Sequence, residues 1–253
     1  MSSILGVPVD AAYHLVSGFT TLLTPVLGGA AVVAAIVLFT AAARLILMPL
    51  SLRGLRGQAT QARLAPQLQD LRKRYAKQPE RLQRELTALY KREGTSMFAG
   101  LTPLLLQWPL LSVMYLLFRS TQIGGKANML LSRDLFGVPL GSHWLAGAGA
   151  VSMHGLVFLG VFALLAGLCW LSVRLGRLMT AAQPAGADAP GGALIRVLPY
   201  LTVVIAAFVP LAAGIYLLTS TGWALAERSF FWRTGRISGA APTPPKPAVA
   251  ARN

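Results

Sequence analysis

Long apolar runs separated by short polar stretches organise this chain. Residues 26–50 are uncharged with one exception, and further apolar runs cover 101–118, 149–173 and 194–232. A bilayer core about 30 Å thick needs about 20 apolar residues of helix to cross it. Each of the first three runs therefore predicts one transmembrane helix. The last is too long for a single crossing, and Pro210 divides it into a short fourth span, 194–209, and a fifth, 210–232. Ahead of them, Val9, Tyr13, Val16, Phe19 and Leu23 recur at helical spacing. They predict a short amphipathic helix on the membrane surface, ending where Pro25 turns the chain inward.

Between 51 and 100 the period stays helical but the surface turns polar. Leu64, Leu68, Leu71 and Tyr75 form one stripe, and Leu82, Leu86, Leu89 and Tyr90 form a second after Pro79. Proline suits the first turn of a helix, so the pattern predicts an antiparallel helical hairpin. Residues 120–148 read as a loop, with a short re-entrant or surface helix around 128–136. Residues 174–193 read as a linker, and the proline-rich tail 233–253 as disordered.

Composition and charge then give the picture a solvent and a direction. The chain is 55% hydrophobic and 12% charged, with mean hydropathy +0.59, outside the usual range of soluble domains. Nineteen of the 23 Lys and Arg lie in 51–100, in 174–196 or in 228–253, and only Arg119, Lys126 and Arg133 lie in the opposite loop. Basic loops stay on the cytosolic side. The hairpin and C-terminus are therefore expected in the cytosol and the N-terminus outside. The N-terminal residues lack the basic region of a cleavable signal peptide.

The exception in the first span is Arg44, nine residues before the next cation, Arg53. That separation is about 13 Å of helix, so a spanning helix carries Arg44 well inside the membrane. A charge there costs at least about 2.5 kcal/mol and is seldom kept without a use. The competing readings are an arginine snorkelling to the interface and a helix that stops at Pro49. None of the eight acidic residues falls in mid-span, Glu227 near the end of the fifth coming nearest. Arg44 therefore lacks an evident counter-ion, and a proton-coupled transporter, which relies on intramembrane carboxylates, is disfavoured. Gln107 in the second span, with Thr219, Ser220 and Thr221 in the fifth, could line a wet groove around it. Each alone reads more readily as a helix–helix hydrogen bond, and it is their combination with an unpaired arginine that points to a groove.

Catalytic chemistry is scarce. His14, His143 and His154 have no acidic or cysteine neighbour at ligand spacing, and Cys169 is the single cysteine, so no metal site is expected. Ser152 and His154 stand two apart on a helix and face different ways, which argues against a serine protease. No glycine-rich nucleotide loop is present, and no cofactor is expected. The reading is of a protein that is not an enzyme.

Four segments carry a family resemblance: Thr40-Ala-Ala-Ala-Arg44-Leu-Ile-Leu-Met-Pro49-Leu50; Leu64-Ala-Pro66-Gln67-Leu-Gln-Asp-Leu71-Arg-Lys-Arg-Tyr75; Gly100-Leu-Thr-Pro103-Leu-Leu-Leu-Gln107-Trp-Pro109; and Pro210-Leu-Ala-Ala-Gly214-Ile-Tyr216. In this order and topology the chain resembles the YidC/Oxa membrane-protein insertases, in their shorter Gram-positive-type form, from about residue 13 to 232. The resemblance implies an all-α polytopic protein of the bacterial plasma membrane, with five helices around a hydrophilic groove open to the cytosol and a cytosolic hairpin. It implies that Arg44 is the groove arginine, with Gln107, Ser220 and Thr221 lining it. Leu217 departs from the pattern, since many members have an aromatic residue after the tyrosine. The implied partners are nascent membrane proteins, the lipid bilayer and the Sec translocon. The basic hairpin and tail suit either a ribosome or an anionic lipid surface, and charge alone does not separate the two. From other classes, a small anion transporter or channel and a non-catalytic assembly factor remain as alternatives.

Overall fold

The computed structural model describes residues 6–96, 102–131, 133–144, 152–181 and 198–235, with the side chains at 62, 102–107, 179–181 and 198 outside that set. Helix α1 (Gly6–Leu27) presents Val9, Ala12, Val16 and Thr20 as its buried face, at the three- and four-residue steps of an amphipathic helix. It packs on the second helix and the fourth. It is longer than the helix expected between 9 and 23 and runs through Pro25. Pro25 forfeits one backbone bond, to the Thr21 carbonyl, and the helix ends two residues later at Leu27. A short 3-10 turn, Gly28–Ala30, leads into α2.

Helix α2 (Ala31–Arg74) is continuous over 44 residues and contains both Pro49 and Pro66. The boundary expected at residue 50, between a span and a separate hairpin, is therefore not a break in the chain. Pro49 removes one backbone bond, but side chains on either side of it, Arg44 and Ser51, are both tied to the last helix. The basic part of α2 and helix α3 (Pro79–Arg92), which starts on its proline, form the two arms of a hairpin. Arg63 pairs with Glu93 across them, and Gln61 Nε2 donates to the Ser96 carbonyl at 3.1 Å.

Helix α4 (Thr102–Arg119) ends in a cap supplied from the following loop. Asn128, buried, donates through Nδ2 to the carbonyls of Leu117 and Ser120 and accepts from the Leu130 N–H. It thereby satisfies carbonyls that a helix end leaves without partners. A helix around 128–136 is not formed. Instead the loop folds into two small antiparallel hairpins, β1 (Gln122–Ile123) with β2 (Lys126–Ala127), and β3 (Asp134–Leu135) with β4 (Val138–Pro139). The cause lies in the turns: Gly124 and Gly125 take φ of +57° and +76°, and Phe136 and Gly137 take +52° and +78°. Two successive residues at positive φ make the tight reversal that suits a two-residue hairpin and interrupts a helix. A Cβ at Gly124 would lie 2.9 Å from Asp10 Oδ1 of α1, so that carboxyl would have to shift to admit one.

Helix α5 (Met153–Ala181) continues past residue 173, so Arg174 and Arg177 stand on a helix and not on a linker. No proline interrupts the chain before Pro184. The remaining linker, 182–193, lies outside the described residues, as do 145–151, 194–197 and the tail from 236. A 3-10 turn (Leu198–Tyr200) and helix α6 (Leu201–Phe208) follow. The eight residues of α6 amount to about 12 Å, too short to cross a bilayer alone. Val209 is extended, as a residue before proline prefers, and Pro210 caps α7 (Leu211–Arg233). The first amides of α7 donate to the loop carbonyls of Ser142 and Leu140.

Helix α7 is the centre of the bundle, packed by α2, α4, α5 and α6. Leu211 through Leu217 are buried without interruption, so this stretch has neighbours on every side. Ala212, Ala213 and Gly214 let those neighbours approach closely, the means by which helices associate in lipid. Outward, Ile46, Trp108, Leu164, Trp170 and Phe208 stand exposed. So many exposed large apolar groups suit contact with lipid tails and not with water. Among the described residues, two helical runs, Gly6–Gln61 and Met153–Leu178, are long and apolar enough to cross a membrane. The chain is a predominantly helical membrane protein.

Candidate functional site

A polar seam joins α2 to α7. The two helices run parallel, and three side-chain bonds cross between them, the first two at matched seven-residue steps. Arg44 Nη2 donates to Ser220 Oγ, and Ser51 Oγ donates to Glu227 Oε2 at 2.7 Å. Arg228 Nη2 donates to Gln58 Oε1 at 3.0 Å. Arg44, Ser51 and Gln58 are seven residues apart in turn, as are Ser220 and Glu227. Seven residues are close to two helical turns, about 10 Å, so such positions recur on one face. The seam is the same face of α2 presented three times.

Beside the seam lies a cavity of about 190 Å³, room for several waters. Arg44 and Ser51 of α2 and Ser220, Thr221, Glu227 and Arg228 of α7 line one side. Cys169 and Ser172 of α5, with Pro199 and Thr202 around α6, close the other. Cys169 is held by its thiol donating to the Pro199 carbonyl at 3.2 Å, which fixes α5 against the start of α6.

Within this site Arg44 is buried to 6% exposure. Its Nε has no hydrogen-bond partner among the described residues. The described ion pairs are His14–Asp10, Arg63–Glu93 and Arg92–Glu93, so Arg44 is not paired with a carboxylate there. Glu227, the carboxylate nearest along the seam, is also buried and is bound by Ser51; its Oε1 has no partner among the described residues. A buried guanidinium held by one neutral hydroxyl is under-satisfied and has capacity for a visiting anion. Guanidinium suits carboxylate in particular, because its donors form a fork.

Three of the residues expected to line a groove, Arg44, Ser220 and Thr221, do meet around this cavity. Gln107 lies on α4 with its side chain outside the described set. Ser51, Ser172, Thr202 and the Glu227 carboxyl were not foreseen as lining. Ser51 had a readable signal, since it repeats Arg44 at seven residues. Ser172 and Thr202 had none, because only the packing of α5 and α6 brings them here.

The family model described as the 60Kd inner membrane protein matches residues 22–237. Among curated proteins, the membrane protein insertase YidC of Clostridium tetani is 35% identical over 114 residues, which is 45% of this chain and 52% of that protein. YidC of Clostridium perfringens is 35% identical over 120 residues, 47% of this chain and 50% of the relative. YidC of Granulibacter bethesdensis is 35% identical over 107 residues, 42% of this chain and 16% of the relative. The matched stretch spans about half the length, or less, of these relatives.

Proposed function

The chain belongs to the 60Kd inner membrane protein family, that of the YidC insertases, and from that premise we propose that it inserts membrane proteins without a chemical step. Its site would take the hydrophilic tail of a single- or double-spanning substrate into a groove centred on Arg44, while the hydrophobic segment leaves sideways into lipid. The observation that carries this is a buried arginine, without a carboxylate partner among the described residues, in a cavity that also presents the side chains of Ser51, Ser172, Ser220 and Thr221. Such polar groups shorten the dry path that the tail must cross. The apolar segment leaves because lipid accepts it at less cost than a wet groove. The free energy comes from partitioning and from the membrane potential, which acts on a charged tail with about 2.3 kcal/mol per 100 mV.

Five crossings complete the reading: 26–50, 101–119, 149–173, 194–209 and 210–232, with the N-terminus outside. The charge asymmetry of the loops supports it. In a Cys169→Ser background, Thr121→Cys and Lys126→Cys are expected to react with an impermeant maleimide on intact spheroplasts. Lys77→Cys and Gln83→Cys are expected to react only after permeabilisation, and the reverse pattern would overturn the orientation. The hairpin and tail are assigned to the ribosome or targeting factors on their positive charge, and the Sec translocon is included as a partner on family grounds.

Crosslinking tests the site directly. A stalled nascent chain with an acidic tail is expected to crosslink to Ser51→Cys and Thr221→Cys, and several times less to Leu45→Cys or Ile46→Cys on the outward face of α2. Equal capture by both faces removes the groove. Anion flux through liposomes by a protein that inserts no cargo would establish the transporter alternative.

A further inference from the structure

Glu227 is the group that an acid-binding groove does not explain. It lines the same cavity as Arg44 and is buried to 5% exposure. One oxygen accepts a single neutral bond from Ser51 and the other accepts none among the described residues. Its neighbour in sequence, Arg228, bonds Gln58 instead, and neither Arg228 nor Arg44 forms an ion pair with it among the described residues. A carboxylate kept for structure alone would be expected to take one of these two guanidiniums, since a buried charge without a partner is costly. Both of its obvious partners bond elsewhere, which leaves one acceptor-only oxygen of this cavity-lining residue without a partner among the described residues.

We propose that the cavity reads charge in pairs: Arg44 takes a carboxylate of the substrate tail, and Glu227 takes a cationic group of the same tail about 10 Å nearer the hairpin end. The spacing follows from the seam, where Ser220 marks Arg44 and Glu227 stands seven residues further along α7. In an extended chain, about 10 Å is three residues. The preferred tail therefore carries an acidic residue and a lysine, arginine or free amino terminus about three residues away. Glu227 is in this account a specificity residue for an insertase, and the account rests on the reading of Arg44 given above.

The test uses the full chain in proteoliposomes and a set of single-spanning cargoes, all with one Asp in the tail. One cargo carries no cation; others carry Lys one to six residues from the Asp, with the terminus acetylated; a last has a free terminus three residues away. Insertion is expected to peak near the three-residue spacing, about tenfold above the cargo without a cation, as one charge-assisted hydrogen bond provides. In Glu227→Gln the ratio between the two cargoes falls to about one, and in Glu227→Lys a second Asp replaces Lys as the preferred group. Thermal unfolding midpoints identify variants that are merely misfolded. A ratio that persists in Glu227→Gln, or that shows no dependence on spacing in the parent protein, overturns the proposal. Failure of the parent protein to insert any of the cargoes instead removes the insertase reading on which it rests.

Discussion

Replacing Arg44 with alanine is expected to reduce insertion of an acidic-tailed single-spanning cargo by about 100-fold, while Arg44→Lys keeps it within about tenfold of the parent. The estimate starts from charge attraction of about 4 kcal/mol at 4 Å under an effective dielectric near 20. Water in the cavity screens part of this, leaving about 2.7 kcal/mol, or two orders of magnitude. Lysine keeps the charge but loses the forked donors and the reach to Ser220. The cargo supplies the control: with its tail acid changed to Asn, the cargo is expected to insert to a similar extent with Arg44 or with alanine. The measurement is protease protection of the translocated tail in liposomes. If Arg44→Ala impairs acidic and neutral tails alike, the arginine serves only packing. If Arg44→Ala inserts acidic tails as well as the parent does, the assembly-factor alternative gains and the groove has no electrostatic role.

Arg44 could be singled out early because its signal is local: one charge in a long uncharged run. The absence of a mid-span carboxylate was just as visible, and it pointed to an arginine without an internal counter-ion. What the linear pattern concealed depends on backbone geometry and on helix pairing. Pro49 looks like a stop, yet α2 passes through it as well as through Pro66, since bonds from Arg44 and Ser51 to α7 hold the helix on either side of Pro49. Residues 128–136 read as a short re-entrant or surface helix, yet positive φ at Gly124, Gly125, Phe136 and Gly137 turned the loop into hairpins. Arg174 and Arg177 read as linker charges although the helix carries on beneath them. Cation–π contact between Arg174 and Trp170, at 5.3 Å, provides a local reason for that extension to hold its charge near the apolar surface. The role of Glu227 was open for a different reason. A carboxylate one step from an arginine in sequence can pair in several ways, and only the register of α7 against α2 directs it to Ser51.

That register makes the face of α2, rather than its depth, the decisive variable, and exchanging two residues tests the distinction. Ile46 lies two positions from Arg44 and is 76% exposed on the outward side of the helix. The double variant Arg44→Ile with Ile46→Arg preserves composition, charge and almost the same depth, displaced by about 3 Å. If Arg44 were a snorkelling residue, the exchanged arginine would reach the interface equally well and insertion would persist. On the groove reading the guanidinium now faces lipid tails at a cost of about 2.5–3.5 kcal/mol, Ser220 loses its partner, and the cavity loses its cation. Acidic-tail insertion is then expected to drop as far as in Arg44→Ala, with a lower unfolding midpoint than that variant shows. Ile46→Arg alone separates the two effects: it pays the lipid cost but keeps the cavity, so folded protein is expected to retain insertion while its midpoint falls. Recovery of activity in the exchanged variant would show that depth alone matters, and the site would then have to be rebuilt without a cavity on this face of α2.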